Sequence, residues 1–361
     1  MTTMAWADVG ERVREARLAA GVTQKHLADA LGVDRTAVLK VESGDRRLSA
    51  LEAAVVAEEL RVPLTLLVSP RPLAITSQRQ PLGDDAADVE RMRARADLLL
   101  EAHSRDVRWL VEQGYLAPTD RPDPWKITDV ASAVAAAGAV RKRLQLGNEP
   151  LPGLADVAES LGLFVLVVDE DVEGASLDEG QWGVAVVGGA VDPGRRRSTA
   201  AHELAHHLAG DAYSSDLPVS TATSEREALI DSFATALLLP AAVVQGALAA
   251  SDTPQMRRSA LVSTAATYRV SWRTALAAAR PFLWSGEERR LRPTPTLGEF
   301  LAVVGRGVQP DLPPGETGAR YTSAVMAAFE DGAVTGEGAV RLLHDRLSLD
   351  QLPSTEAPDL W

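Results

Sequence analysis

The chain contains no cysteine. That excludes disulfides and any zinc site built on thiolates, and it suits a reducing compartment. Aromatic residues make up only 4% of 361 positions, so the cores have to be filled mainly by Leu, Val and Ala. No apolar run is long enough to span a membrane, since the longest stretch, 234–250, is broken by Pro240 and Gln245. The opening residues MTTMAWADVGERVREAR lack the apolar core of a signal peptide. A formal net charge of −13 argues against nonspecific coating of nucleic acid or of an anionic membrane, although it has to be read module by module. These absences predict a cytoplasmic protein with no membrane partner, long enough for two or three domains.

Histidine is also scarce, with six in the chain, yet two of them stand four apart in His202-Glu203-Leu204-Ala205-His206. The surrounding run 200–209 is rich in Ala and Leu and free of Gly and Pro, which predicts a helix. On a helix, residues four apart share a face, so His202 and His206 can hold one metal ion and Glu203 can reach a water bound to it. The competing reading is a pair of histidines lining a buried helix face without metal.

A zinc site of this kind needs a third protein ligand. Glu227 lies 21 residues after His206 in SEREALIDSFATALLLP, a separation that allows a loop and a second helix. Asp231 follows one turn later on the same face, placed to orient a ligand histidine. Ser224 and Glu227 also form an S-x-x-E pattern, so a helix-capping role competes for Glu227. If the site is catalytic, zinc activates the water and Glu203 carries its proton to the leaving amine. Tyr213, His207 and Tyr268 are the candidates for stabilising the oxyanion, none singled out by the sequence. The apolar runs 163–168 and 182–187 read as strands, and the second, if it edges the cleft, is suited to binding an extended peptide by strand addition.

Nearer the start, residues 8–68 read as five short helices punctuated by Gly21, Gly32 and Gly44. TQKHLA opens one helix, Gly32-Val33-Asp34 makes a tight turn, and Asp34 can cap the next helix, which runs to about Glu42. Two helices joined by so short a turn have the helix-turn-helix geometry. The second helix presents Arg35 and Thr36 for base edges, while Gln24, Lys40, Arg46 and Arg47 suit phosphates or buttressing. The segment is not strongly basic, with nine Lys+Arg against ten Asp+Glu in residues 1–70. Residues 8–68, including VESGDRRLS, nevertheless resemble the XRE/Cro-type helix-turn-helix family. Residues 127–245 resemble the ImmA/IrrE (DUF955) family of zinc metallopeptidases, through TAAHELAHHL and the helix E-A-L-I-D-S-F-A-T-A-L-L-L-P. That resemblance implies one Zn2+ per chain with Glu227 as third ligand. Ile230 and Asp231 depart from the family's usual small residue and asparagine, without removing a ligand.

The expected architecture is mainly α with a small β-sheet. It comprises an all-α helix-turn-helix domain (1–68), a linker and amphipathic helix (69–126), an α+β zincin-like metallopeptidase domain (127–284) and a small helical C-terminal module of unassigned role (285–361). The resemblances together imply a bacterial DNA-binding transcription regulator whose zinc endopeptidase cleaves a repressor or other regulatory protein in a stress, prophage or mobile-element response. The alternative is a non-proteolytic repressor or antitoxin whose zinc domain binds a partner such as a toxin. A double-stranded DNA operator is expected as partner under both readings, and the helix at 86–113 offers either a homodimer seam or a face packed within its own chain.

Overall fold

In the computed structural model the described residues are 5–68, 77–78, 86–117, 124–211, 221–307 and 309–353. The first five helices are α1 (Trp6–Ala19), α2 (Gln24–Leu31), α3 (Arg35–Glu42), α4 (Ala50–Glu59) and α5 (Leu64–Val68). Their boundaries follow local chemistry. Thr23 and Asp34 cap α2 and α3 by accepting from the amides of His26 and Ala37, and Gly32 ends α2 in the left-handed region. Val13, Ala16, Leu27, Val38, Val41, Val56, Leu60 and Leu66 fill the core between them. Leu18 and Leu51, which the helical spacing places with these residues, are instead exposed.

A short strand, β1 (Ser77–Gln78), precedes the long helix α6 (Ala86–Glu112). Then come α7 (Val130–Arg143), α8 (Leu154–Glu159), β2 (Leu163–Val168), β3 (Gly174–Asp178) and β4 (Gly183–Gly188). The strands lie in the order β1-β3-β4-β2, with β2 parallel to β4 and the other neighbours antiparallel. Both faces of the sheet are covered, which is why β2 reads LFVLVV without polar alternation. Leu163, Val165, Val167, Ala185 and Val187 face one core, while Phe164, Leu166, Val184 and Val186 face another.

On the first face lie α7, α8 and the helices that follow the sheet: α9 (Pro193–Ala209), α10 (Thr221–Leu238), α11 (Ala241–Ala249), α12 (Pro254–Tyr268) and α13 (Trp272–Ala279). Two further helices, α14 (Glu287–Leu291) and α15 (Leu297–Val304), extend this layer, and Arg257 on α12 makes a buried two-pronged ion pair with Glu287. The second face is covered by α6, α16 (Ala319–Glu330) and α17 (Gly336–Leu342). Packing therefore joins what the sequence separates: α16 and α17 complete a core that α6 and the sheet begin. α6 is a packed helix rather than a free seam, because Leu98 enters the N-terminal core while Ala96, Leu100, Val107 and Leu110 enter the second sheet core. Arg12 on α1 is ion-paired with Glu101 on α6, fixing that junction. Among the described residues no single helix is long and apolar enough to cross a membrane.

The second core contains a pH-sensitive group. The His103 ring is buried, its Nε2–H donating to the Phe164 carbonyl at 3.2 Å and its face 5.4 Å from the Tyr321 ring. Burial, helped by the nearby His344, lowers its pKa to about 3, and burial and Arg341 lower that of His344 to about 4. The unfolded chain takes up these protons near pH 6.5 and the folded chain does not, so stability is complete above pH 6.5 and falls below it. At about 1.4 kcal/mol per pKa unit, His103 withdraws roughly 2–3 kcal/mol between pH 6.5 and 4.5. Asp106 works in the opposite sense, since burial raises its pKa to about 6, but it titrates against two histidines. Urea unfolding at pH 7 and pH 4.5 is expected to show this loss, and His103→Phe to reduce it. An unchanged pH dependence in His103→Phe would remove His103 from the explanation.

Candidate metal centre

Helix α9 is built to hold its place against the sheet. Asp192 caps it by accepting from the amides of Gly194 and Arg195, Pro193 occupies the first turn, and Gly210 closes it in the left-handed region at φ 66°. It packs against β3, β4 and α10, and this contact buries His202, Glu203 and His206. Four positions apart, the two imidazoles fall on one face, their Nε2 atoms 3.1 Å apart.

Glu227, on α10, completes the cluster. Its Oε2 lies 3.1 Å from His202 Nε2 and its Oε1 3.4 Å from His206 Nε2. Donor atoms that share a zinc ion at about 2.0–2.1 Å in a tetrahedron stand about 3.3 Å from one another. The donor set thus fits a single zinc in both chemistry and spacing, and Glu227, half exposed, leaves the cluster open on that side. The capping role competing for Glu227 does not fit: α10 begins at Thr221, so Ser224 and Glu227 already lie inside it.

Carboxylates hold both imidazoles from behind. Asp231 Oδ1 lies 2.9 Å from His202 Nδ1, and Asp211 Oδ2 lies 3.0 Å from His206 Nδ1. Accepting a hydrogen bond from each Nδ1–H turns Nε2 of each ring toward the cluster. Burial disfavours a charged His206, but hydrogen bonds to Asp211 and Glu227 outweigh it and raise its pKa to about 9. Glu227 is pushed the other way: its burial is overcome by hydrogen bonds from His202 and His206, which hold it well below the usual carboxylate range. Asp211 is itself gripped by Arg226, with Nη2 at 2.6 Å and Nε at 3.0 Å. The sequence reading missed Asp211. Its place directly after the Gly210 cap was the only local hint.

Glu203 is fully buried between α9 and β3. Ser176 Oγ donates to Glu203 Oε2 at 2.8 Å, and Oε1 has no hydrogen-bond partner among the described residues. Gly174 makes room for this carboxyl, since a Cβ there would come within 2.8 Å of Oε1 and 2.4 Å of the Thr199 methyl. Neither Gly174 nor Ser176 was legible as part of a site, because the alternation of Ala175 and Leu177 with Ser176 and Asp178 is short and lies in an acidic, Gly-containing connection. The structure makes it β3, and β3 rather than β4 borders the site. The strand expected at 182–187 runs as β4 at 183–188 and is central, flanked by β3 and β2, so its backbone is not free to take a peptide. Of the oxyanion candidates, Tyr268 donates its hydroxyl to the Asn148 carbonyl, His207 is buried beside Gly183, and Tyr213 lies outside the described residues.

Residues 159–279, which include this cluster, match the family model of the IrrE N-terminal-like domain, and residues 13–67 match a helix-turn-helix model. The chain joins an XRE-type helix-turn-helix to an ImmA/IrrE-like domain of the metallopeptidase type. Of curated proteins, none is significantly similar to it.

In the helix-turn-helix, the residues proposed for DNA are only partly brought together. Gln24 and Arg35 meet at the N-termini of α2 and α3, Arg35 Nε donating to Gln24 Oε1 at 3.2 Å, and Thr36 is exposed beside them. Gln24 is held from behind by Glu42, which accepts from its Nε2 at 2.8 Å. Lys40 is exposed at the far end of α3. Arg46 is ion-paired with Glu52, and Arg47 lies over the Trp6 ring at 6.0 Å, so both also serve the fold. Gln24, Lys25 and Arg35 line a cavity of 1690 Å³ whose opposite wall is α6 at Arg91, Ala94 and Leu98. This end of the helix-turn-helix therefore faces α6, the amphipathic helix expected within 69–126.

Proposed function

We propose that the protein is a cytoplasmic bacterial transcription regulator that binds an operator through its helix-turn-helix and cleaves a repressor or other regulatory protein with its IrrE-like domain. The observation that carries this reading is the convergence of His202, His206 and Glu227 on one point, with the Glu203 carboxyl buried beside them at β3. His202, His206 and Glu227 are the residues that would hold zinc, one ion per chain. When bound, zinc lowers the pKa of water toward about 7 and polarises a carbonyl as a Lewis acid.

The chain's own residues divide the remaining work. Asp231 and Asp211 fix the tautomers of His202 and His206, so that each ring offers Nε2. Ser176 anchors one oxygen of Glu203, which leaves Oε1 to take a proton from water and to return it to the leaving amine. The wall of β3 keeps solvent from the back of that carboxyl. At the N-terminus, Arg35 and Thr36 are placed to read base edges, while Gln24 and Lys40 are placed to meet phosphates.

The test is a search for cleavage products. The purified zinc-loaded chain is incubated with lysate of the source bacterium, and newly formed protein N-termini are identified by mass spectrometry. The expected result is one or a few cleaved regulatory proteins, absent when a chelator is added. A chain that holds zinc yet generates no new N-terminus would overturn the peptidase reading in favour of a non-proteolytic regulator.

A further inference from the structure

β3 borders the site on one side and has an edge on the other. It pairs with β4 along its whole length, from Gly174 opposite Val187 to Asp178 opposite Gly183. Its second neighbour among the described residues is only β1, with Ser77 opposite Ser176 and Gln78 opposite Ala175. Ser176 is the residue whose hydroxyl holds Glu203, and Gly174 is the one whose missing side chain admits it. The register therefore sets the added strand directly alongside the Glu203 position. An extended peptide joined to this edge would gain main-chain hydrogen bonds and lie along the site, which is how strand addition binds peptides.

That place is held by the chain itself. Ser77 and Gln78 belong to the stretch that connects the helix-turn-helix to α6, and the sequence there is P-L-A-I-T-S-Q-R-Q-P from Pro72 to Pro81. It carries the β-branched Ile75 and Thr76, has no acidic residue, and is bounded by prolines, a composition that suits an extended segment. The elements on either side are anchored. Leu66 and Leu67 of α5 are buried in the N-terminal core, and α6 is packed against both that core and the sheet. A tethered segment of this kind competes at an effective concentration on the order of millimolar, which a free peptide has to exceed.

We propose that the β3 edge takes an extended peptide as substrate, and that the chain's own segment at Ser77–Gln78 is a resident competitor restraining the site until it is displaced. The word substrate rests on the peptidase reading above; the competition at the edge does not.

The test uses the full chain carrying Glu203→Gln, so that nothing is turned over. A dye-labelled synthetic peptide of residues 72–83 is titrated by fluorescence anisotropy into this chain, alone or with Ser77→Pro/Gln78→Pro, which removes two main-chain donors and breaks the pairing. The expected result is binding at least about tenfold tighter in the proline variant, given millimolar competition in the parent. A Ser77→Ala/Gln78→Ala chain, which keeps the backbone, is expected to match the parent. Equal affinity in the proline variant and the parent, or no binding to either, overturns the proposal. The outcomes separate the two readings. Tighter binding with no hydrolysis by the Glu203 chain keeps the competing edge and discards the peptidase, whereas hydrolysis with unchanged affinity does the reverse.

Discussion

Replacing Glu203 with Gln is expected to reduce peptide hydrolysis by on the order of a thousandfold or more, with zinc content unchanged. The amide has the size and shape of the carboxylate, so the pocket left by Gly174 still accepts it and Ser176 Oγ can still donate to its oxygen. What disappears is the proton acceptor at Oε1. A thousandfold loss corresponds to about 4 kcal/mol of barrier, well beyond what a small shift in packing supplies. Zinc stays because the three residues that fit it are His202, His206 and Glu227, not Glu203. The measurement is turnover of the cleaved protein together with zinc per chain by elemental analysis. Turnover within a few-fold of the parent in a zinc-loaded Glu203→Gln chain would end the assignment of Glu203 as the proton carrier.

The second large effect is on the metal itself. Glu227→Gln is expected to weaken zinc binding by more than about 100-fold, the upper range for loss of a residue that only supports a ligand. The substitution keeps the side-chain length but removes the negative charge that faces both Nε2 atoms at 3.1 and 3.4 Å. Asp231→Asn, one step further from the ion, is expected to cost about 10- to 100-fold. Competition with a chromophoric chelator gives both numbers. If Glu227→Gln bound zinc as tightly as the parent, Glu227 would not be the third ligand. Folding of the variant is checked by its far-ultraviolet dichroism, because α10 also packs on α7 and α9.

Much of this arrangement is readable in the chain, because it depends on short-range geometry. Four-residue spacing puts His202 and His206 on one face wherever that segment is helical, and the segment has nothing to stop it from being so. The run LFVLVV, short and rich in β-branched Val, suits a strand covered on both faces, and the structure covers it on both. The caps at Thr23 and Asp34 mark the helices on either side of the turn within a residue.

What was not readable depends on which distant segments meet. GASLD becomes a strand because it pairs with β4; its alternation of Ala175 and Leu177 with Ser176 and Asp178 is only five residues long and sits in an acidic, Gly-containing connection, and the buried hydroxyl of Ser176 is satisfied by its bond to Glu203. The same pairing makes β4 central, which the apolar sequence of β4 does not decide. Asp211 is an unremarkable acid until the turn that closes α9 brings it against His206, whereas Asp231, expected from its spacing after Glu227, meets His202 once α10 packs on α9. α6 looks like a free amphipathic helix, yet its apolar residues point in two directions because two cores need them.

The sequence by itself thus determined the local elements: the two-histidine face, the buried strand, the second helix of the helix-turn-helix and the glutamate one helix later. Tertiary structure decided which edge borders Glu203, that Asp211 holds His206, and that Ser77–Gln78 lies on that edge. The physical reason is range. Helical spacing, capping and burial are settled within a few residues, whereas strand order and side-chain partnership are settled only when segments tens of residues apart are packed together.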